Sequence, residues 1–155
     1  MTFTLHTDGG SAPNPGPGGW AFVLDDGQSQ IEQFGGERAS TNNRMELTAV
    51  IRGFEAALDA EKGDRPVLEL IADSQYVLKG LTEWMPGWKS NNWTRKVSGS
   101  RKPVLNVDLW KQLDELQARI ELTVTWVRGH TGHAGNERCD ALVKDGIRSV
   151  GGRVG

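Results

Sequence analysis

The spacing of apolar residues changes part-way along this chain, and that change constrains the fold more than any other feature. Apolar and polar side chains alternate over residues 2–8, and they alternate again over residues 18–37 on both sides of a turn signal at Asp26–Gly27. Alternation of this kind predicts three strands in an antiparallel meander. A helical stripe follows, formed by Leu47, Val50, Ile51, Phe54, Ala57 and Leu58.

The second half of the chain mixes the two spacings. Residues 66–73 are nearly all apolar, which predicts a strand covered on both faces. Residues 121–129 alternate and predict another strand. Three further stripes have helical spacing. The first, with Val77, Leu81, Trp84 and Trp88, is interrupted at Pro86. The second consists of Leu109, Leu113, Leu116 and Ile120, and the third of Leu142, Val143 and Ile147. The resulting order, β-β-β-α-β-α-α-β-α, predicts an α/β protein with a mixed sheet and helices packed on its faces.

The size and composition of the chain fit one globular domain outside the membrane. The 155 residues and the net charge of -2 suit a single domain of ordinary core size. We expect this domain to span residues 1–150, followed by a flexible glycine-rich tail over 151–155. No apolar run is long enough to cross a bilayer and no signal peptide is visible, so we expect no membrane partner. Cys139 is the single cysteine, which favours a reducing, cytoplasmic setting.

Four carboxylates stand at positions that could form a site. Asp8 and Asp73 each follow a predicted strand, and sites in open α/β sheets lie just beyond strand ends. Taken singly, either residue is more often a turn former. Glu46 also has an ordinary interpretation, as the third residue of a capping box that begins at Asn43. Asp140, like Glu46, lies on a predicted helix at the edge of an apolar stripe, where a carboxylate leans toward the sheet.

A metal ion would explain these acids together. An isolated buried carboxylate is costly, and few Lys or Arg residues lie near all four in sequence. Four oxygen donors suit Mg²⁺, or Mn²⁺ as a substitute. A zinc site at His130, His133 and Cys139 is a weaker alternative, because its single thiolate and its spacing fit no standard finger. His130 follows a predicted strand directly, which suits a residue that transfers protons.

Five motifs in one order resemble bacterial type 1 ribonuclease H. They are "TDGG" with "NPGPGGW", then "TNNRMEL", "ADSQYV", "NVDLW" and "VRGHTGHAGNERCD", and they run from Asp8 to Asp140. The resemblance implies the ribonuclease-H-like fold with a five-stranded mixed sheet. It also implies endonucleolytic cleavage of the RNA strand of RNA–DNA hybrids, with two Mg²⁺ ions, leaving 3′-hydroxyl and 5′-phosphate ends. Since the second strand would be held at its backbone, we expect little sequence specificity. We also expect the protein to act as a monomer.

The resemblance also assigns roles to residues. The metal-binding acids fall on Asp8, Glu46, Asp73 and Asp140, and the catalytic histidine falls on His130. The residues that contact the RNA strand around its 2′-hydroxyls would be Asn14, Asn42 and Gln75. On the DNA strand, Thr41 and Asn106 would grip a phosphate and Trp84 would lie against the sugars.

A basic segment between the second and third helical stripes forms the expected hybrid-binding handle. Residues 89–102 contain no acid, and the basic residues among them are Lys89, Arg95, Lys96, Arg101 and Lys102. Ser90, Asn91 and Asn92 stand where relatives are often basic, and "VSGS" at 97–100 looks like added loop length. The remaining tryptophans fit packing, Trp110 above all.

Two other classes of function remain open at this point. A non-catalytic hybrid-binding module would need one of the four acids to be missing, and none is. A glycoside hydrolase could use paired carboxylates beside tryptophans, but it would keep its activity in the presence of a chelator.

Overall fold

A five-stranded mixed sheet forms the centre of the computed structural model, which describes residues 1–128 and 133–154. The strands of the chain are β1 (Thr2–Ser11), β2 (Gly16–Asp25), β3 (Gln30–Ser40), β4 (Val67–Ala72), β5 (Thr94–Val97), β6 (Ser100–Pro103) and β7 (Glu121–Trp126). The main sheet has the order β3-β2-β1-β4-β7. β1, β2 and β3 form the predicted antiparallel meander, while β4 pairs in parallel with both β1 and β7.

Helices cover both faces of this sheet, as predicted. They are α1 (Asn42–Ala60), α2 (Gln75–Lys79), α3 (Met85–Ser90), α4 (Val107–Gln117) and α5 (Ala134–Ser149). α1 packs on β1 and β2 and contacts α4, whereas α5 packs on β1, β2 and β3. The order of elements agrees with the prediction, and the hairpin of β5 and β6 is an addition to it.

The two faces bury cores of different size. The α1 face carries the large core, in which Phe3 and Leu5 of β1 meet Phe54 of α1 and Trp110 of α4. The α5 face carries the small core, whose buried members among the described residues are Ala21, Val23, Cys139, Leu142, Val143 and Ile147. Strand alternation explains the division, because successive side chains of β1 and β2 point to opposite faces.

The strand that is covered on both faces is β2 and not β4. All residues from Ala21 to Leu24 are buried, and they alternate between the small core and the large core. In β4 only Leu68, Leu70 and Ala72 are buried, because α5 lies over β1 to β3 and leaves the same face of β4 partly open. The prediction that β4 is covered on both faces is therefore wrong.

Two helix boundaries also differ from the prediction. Thr41 caps α1 by accepting a hydrogen bond from the Arg44 backbone N–H, so the capping box from Asn43 to Glu46 is wrong. Pro86 does not interrupt the second stripe. A π-helical turn over Gly80–Trp84 joins α2 to α3, and Pro86 lies in the first turn of α3, where a missing N–H costs little.

The segment interpreted as added loop length is the turn of a hairpin. β5 and β6 pair antiparallel around Ser98 and Gly99, which both have positive φ, at 52° and 81°. Two positive φ angles are typical of the tight turns that suit the twist of a two-stranded ribbon. The dipeptide Ser-Gly between two short stretches was the signal for this turn.

The C-terminal residues pack back onto the domain. The Gly152 N–H donates to the Ile147 carbonyl, and Val154 packs against the small core. The domain boundary at 150 and a flexible tail remain predictions. None of the helices in the described part of the chain is long and apolar enough to cross a membrane.

Candidate active site

Asp8 and Asp73 lie side by side where the parallel pairing of β1 with β4 ends. The pairing runs from Thr2 opposite Val67 to His6 opposite Ile71, and two more residues in that register bring Asp8 opposite Asp73. β1 itself continues to Ser11 through its pairing with β2, so Asp8 does not end the strand as predicted. The sheet alone thus brings together two acids that are far apart in sequence.

Helix α5 brings a third acid to the same place. Asp8, Asp73 and Asp140 line one small cavity of ≈ 20 Å³. The other side chains that line it are Arg128, His133, Asn136 and Glu137. Lys144, one turn after Asp140 on α5, forms an ion pair with it at 3.4 Å. The structure thus brings three of the four predicted acids to one cavity, and Arg128, Asn136 and Glu137 beside them were not singled out in the sequence.

The electrostatics of Asp8 reflect crowding by other acids. Burial raises the pKa of Asp8 to about 7, and the nearby charge of Asp73 adds to the increase. The charges of Asp140 and Glu46 raise it further, whereas a hydrogen bond from the Gly9 N–H lowers it. A nearby cation would lower the pKa of Asp8 and restore its charged form, so this carboxyl suits a bound cation.

Glu46 approaches this group from α1. Burial raises the pKa of Glu46 to about 7, and the charge of Asp73 contributes to the same shift. The Ser74 hydroxyl donates a hydrogen bond to Glu46 Oε2 at 2.5 Å, which counteracts part of the shift. Ser74 directly follows Asp73, so one short segment both carries an acid and holds another.

Glycine at position 9 allows α1 and β1 to come this close. A Cβ on Gly9 would overlap the backbone of Met45 and Glu46. Any larger residue would therefore push the start of α1, and Glu46 with it, away from Asp8. The glycine that directly follows Asp8 is explained by this contact with a helix.

The donor set fits a hard divalent cation. All four candidate ligands are carboxylates, and two of them have a pKa raised by burial and by neighbouring acids, which a cation would relieve. Within residues 1–128 and 133–154, no three Asp, Glu, His or Cys side chains converge closely enough to hold an ion as they stand. Binding would therefore have to draw the carboxylates inward.

The position of Cys139 argues against the zinc alternative. Cys139 is buried in the small core, where burial raises the pKa of its thiol to about 12. Its Sγ donates to the backbone carbonyl of His6 at 3.4 Å. His133 lines the acid cavity instead, and His130, the predicted proton-transfer residue, lies outside the described residues.

Two of the three residues predicted to contact RNA are joined to each other. Asn14 Oδ1 accepts from the Asn42 backbone N–H at 3.1 Å, and Asn42 Oδ1 accepts from the Ser11 N–H at 2.8 Å. These bonds engage the amide oxygens, and the Nδ2 donors of both side chains make no hydrogen bond with residues 1–128 or 133–154. Gln75 is exposed at the start of α2, two residues after Asp73.

The residues predicted to grip a phosphate belong to a second network. Thr41 Oγ1 accepts from the Arg44 N–H, so its hydroxyl hydrogen can still be donated. Asn106 accepts from Arg44 Nη1 at 3.3 Å and donates to the Tyr76 hydroxyl at 3.1 Å. Arg44, which the sequence prediction omitted, also forms an ion pair with Asp108 at 2.9 Å.

A groove of ≈ 310 Å³ lies next to this network, and we call it the tryptophan groove. It is lined by Asn43, Tyr76, Trp84, Trp88, Arg95, Val104 and Leu105. Trp84 is 38% exposed and stacks at an angle on Tyr76 and Trp88. Trp110 is fully buried against Trp88, which confirms its predicted packing role.

Four of the five basic residues of the predicted handle lie on the β5–β6 hairpin, and the two faces of this hairpin differ. Arg95 is opposite Lys102 and Lys96 is opposite Arg101, so each pair lies on its own face of the ribbon. Arg95 lines the tryptophan groove, whereas Arg101 folds onto Thr94 with a hydrogen bond of 2.8 Å. Lys89 lies on α3 and pairs with Asp114 at 3.2 Å.

Cavity volume alone does not locate this site. A larger cavity of ≈ 500 Å³ lies between β3 and α1, lined by residues that include Ile31, Arg52 and Asp59. Its charges are mixed, and none of the four candidate acids lies in it. The three acids that line the smaller cavity are the better guide, because carboxylates that share one cavity suit a bound cation.

The fold and the acids at the β1–β4 edge place this chain in the ribonuclease-H-like class of α/β proteins. The model of the RNase H family matches residues 1–148. Ribonuclease H of Halorhodospira halophila is 54% identical over 142 residues, which covers 91% of this chain and 89% of that protein. Ribonuclease H of Cupriavidus necator is 49% identical over 149 residues, with 96% and 97% covered.

A solved structure agrees with these relatives. LC9-RNase H1, described as a type 1 RNase H with the type 2 active-site motif, is 29% identical with a TM-score of 0.79. The match covers 96% of this chain and 72% of that one. This chain therefore belongs to the ribonuclease H family.

Proposed function

We propose that this protein is an endonuclease that hydrolyses the RNA strand of RNA–DNA hybrids with two bound Mg²⁺ ions. The observation that carries the proposal is the cavity lined by Asp8, Asp73 and Asp140, in a chain about half identical to curated ribonucleases H. Asp8, Glu46, Asp73 and Asp140 would hold the ions, and Mn²⁺ would be a possible substitute. The products would carry 3′-hydroxyl and 5′-phosphate ends.

The metal ions would supply an activated water and stabilise the leaving oxygen of the phosphodiester. The chain's own residues then have to align the scissile phosphate and manage protons. Asp8 is central among the acids, because the charges of Asp73, Asp140 and Glu46 all act on it. We assign proton transfer to His130 as part of the proposal.

Recognition of the RNA strand would come from Asn14, Asn42 and Gln75. The hydrogen bonds that join Asn14 to Asn42 orient both side chains and occupy their oxygens. Their Nδ2 groups could then donate to the 2′-hydroxyls, the groups that distinguish RNA from DNA at one position. Such contacts read the sugar and not the base, which supports cleavage without sequence preference.

The DNA strand would run along the second network and the tryptophan groove. Thr41 and Asn106 each keep a hydrogen that a phosphate oxygen can accept, and Arg44 holds Asn106 in place. Trp84 offers a partly exposed ring for the sugars. The handle residues Lys89, Arg95, Lys96, Arg101 and Lys102 would add positive charge for the backbone. Cys139 is a buried free thiol, which suits a cytoplasmic enzyme, and we expect a monomer.

The test is the cleavage of an end-labelled RNA–DNA hybrid with and without Mg²⁺. We expect cutting of the RNA strand that stops on addition of a chelator, and no cutting of duplex DNA. Asp8→Asn and Asp73→Asn should each abolish cutting and leave the fold intact. Cleavage that continues in the presence of chelator, or in Asp8→Asn with Mg²⁺, would contradict the proposal.

A further inference from the structure

His6 connects β1 to the first turn of α5. It lies two residues before Asp8 and points to the same face of the strand. Its Nδ1 is 2.9 Å from Asn136 Oδ1, and since an amide oxygen only accepts, Nδ1 carries the hydrogen and donates. The sequence separation of this pair is 130 residues.

The same histidine also packs directly on the helix backbone. A Cβ on Gly135 would overlap the His6 ring, so the ring lies against the main chain with no side chain between them. The His6 carbonyl accepts from the Cys139 thiol, one turn further along α5. Three successive points of α5, at Gly135, Asn136 and Cys139, thus rest on one residue of β1.

Helix α5 has no side-chain cap at its N-terminus among the described residues. Its N-cap is His133, whose side chain makes no capping hydrogen bond with the described residues. Without a cap, the first turn of a helix tends to fray, because its N–H groups have no partner. The contacts with His6 instead hold the first turn of α5 in place from outside the helix.

This first turn belongs to the candidate active site. Asn136 lines the acid cavity, and Asp140 follows it one turn later on α5. A small shift of the turn would therefore move Asp140 relative to Asp8. His6 itself does not line that cavity, and its contacts with Gly135, Asn136 and Cys139 connect it to the helix that carries Asp140.

We infer that His6 is a positioning residue, which holds the start of α5 against β1 through Asn136 and so keeps Asp140 within reach of Asp8. The inference rests on the proposed function, since it concerns the same acids. Residues that orient metal-binding carboxylates in this indirect way typically change metal affinity or activity about 10–100-fold when they are replaced.

The first experiment separates the hydrogen bond from the packing of the ring. His6→Phe keeps an aromatic ring against Gly135 and removes the donor, and His6→Gln restores an N–H donor. We expect His6→Phe to weaken Mg²⁺ binding, measured by calorimetry, and to lower kcat, each roughly tenfold. The KM for hybrid should stay unchanged, and His6→Gln should recover part of the loss. Equal Mg²⁺ affinity and kcat in His6→Phe and the original protein would overturn the inference.

A double-mutant cycle tests the route through Asn136. If His6 acts through this residue, His6→Phe combined with Asn136→Ala should be no worse than the more severe single variant. Effects on Mg²⁺ affinity that add in full would overturn the inference. Leu113→Ala is the matched structural control, because it loosens the large core at α4 and leaves the small core under α5 intact. At the same loss of thermal stability it should keep the Mg²⁺ affinity, and a loss as large as that of His6→Phe would count against a positioning role.

Hydrogen exchange keeps the inference separate from the proposed function. The backbone amides of residues 135–139 should exchange faster in His6→Phe, while those of α1 stay unchanged. This readout needs neither Mg²⁺ nor hybrid. A wild-type protein that fails to cut hybrid would refute the proposed function alone, whereas unchanged exchange in α5 would refute the role of His6.

Discussion

The Ser74 hydroxyl donates to Glu46 Oε2 and at the same time accepts from the Val77 N–H at 3.2 Å. One oxygen atom thus caps α2 and holds a candidate metal-binding acid on α1. Since Ser74 follows Asp73 directly, the position of α2 is tied to two of the four acids.

Removing this hydroxyl should weaken the site more than it weakens the fold. We expect Ser74→Ala to lower Mg²⁺ affinity or kcat by about 10-fold or more, because Glu46 loses the donor that orients it. Ser74→Thr keeps a hydroxyl and should recover most of the activity. Ser74→Gly loses the same donor but costs only a few tenths of a kcal/mol as a cap, against about 1 kcal/mol for alanine. Activity assays and thermal melts together check this, and activity that follows melting temperature across the series would contradict it.

The raised pKa values of Asp8 and Glu46 predict how stability depends on pH without metal. Both pKa values are about 7 in the folded protein, above the ordinary values of 3.8 for Asp and 4.5 for Glu. Between about pH 4 and 7 the folded state therefore binds more protons than the unfolded state, so stability falls as the pH rises through this window.

Asp8→Asn tests this sign. Without divalent ions it should melt at a higher temperature than the original protein at pH 8, and the difference should vanish near pH 4. Each kcal/mol corresponds to a shift of about 2–4 °C for a chain of this size. Adding Mg²⁺ at pH 8 should stabilise the original protein and leave Asp8→Asn unchanged. A variant that melts at the same or a lower temperature at pH 8 would show that the acids do not repel one another.

The two faces of the handle predict different effects on hybrid binding. Arg95 lines the tryptophan groove and shares its face with Lys102, whereas Lys96 and Arg101 lie on the opposite face. We expect the double variant Arg95→Ala/Lys102→Ala to raise KM and to flatten its salt dependence, by about one unit of log–log slope per lost phosphate contact. The double variant Lys96→Ala/Arg101→Ala has the same change in charge, and its effects on KM and on the salt dependence of KM should be smaller. In both variants kcat should stay nearly constant, because these contacts bind ground state and transition state alike.

A salt series of KM and kcat for the two double variants checks the handle prediction. Equal changes in the salt slopes of both variants would mean that hybrid binding depends only on the total charge of the hairpin. An unchanged slope in both would mean that the hybrid is held elsewhere.

Discrimination between RNA and DNA should depend on the amide donors of Asn14 and Asn42. In a DNA duplex with an inserted ribonucleotide run, about four consecutive ribonucleotides should suffice for cleavage, since a few side chains read the 2′-hydroxyls. Asn42→Asp keeps the acceptor for the Ser11 N–H and loses the donor, so the turn should survive while KM for hybrid rises. The rise should persist at high salt, where repulsion by the added charge is screened. Full recovery at high salt would point to repulsion alone.

Sequence reasoning predicted the sheet for a physical reason, and it singled out acids that the structure places near one another. Hydrophobic spacing sets strands and helices, and carboxyl ends of neighbouring parallel strands meet at one edge, which brings Asp8 to Asp73. Motif resemblance then predicted roles for the other residues, and those roles stay predictions. Local chemistry could also have found the cap at Ser74 and the turn at Ser98–Gly99, because both signals lie within a few residues.

Other features depend on contacts that no local pattern carries. The pairing of His6 with Asn136 joins opposite ends of the chain. The partly open face of β4 depends on where α5 lies, and the π-helical turn before Pro86 depends on packing around Gly80, where a Cβ would overlap Trp110. Such features follow from the assembled layers, so they became visible only in the structure.

The acids come from both sides of the sheet, and this has a consequence for inactivation by heat. Glu46 belongs to a helix anchored in the large core, and Asp140 belongs to one anchored in the small core. The smaller layer has less apolar area to hold it, so α5 is the element expected to detach first in a partial opening. On heating, activity would then be lost at a lower temperature than the fold. A bound ion would link the two helices through Glu46 and Asp140 and so raise the temperature of both losses.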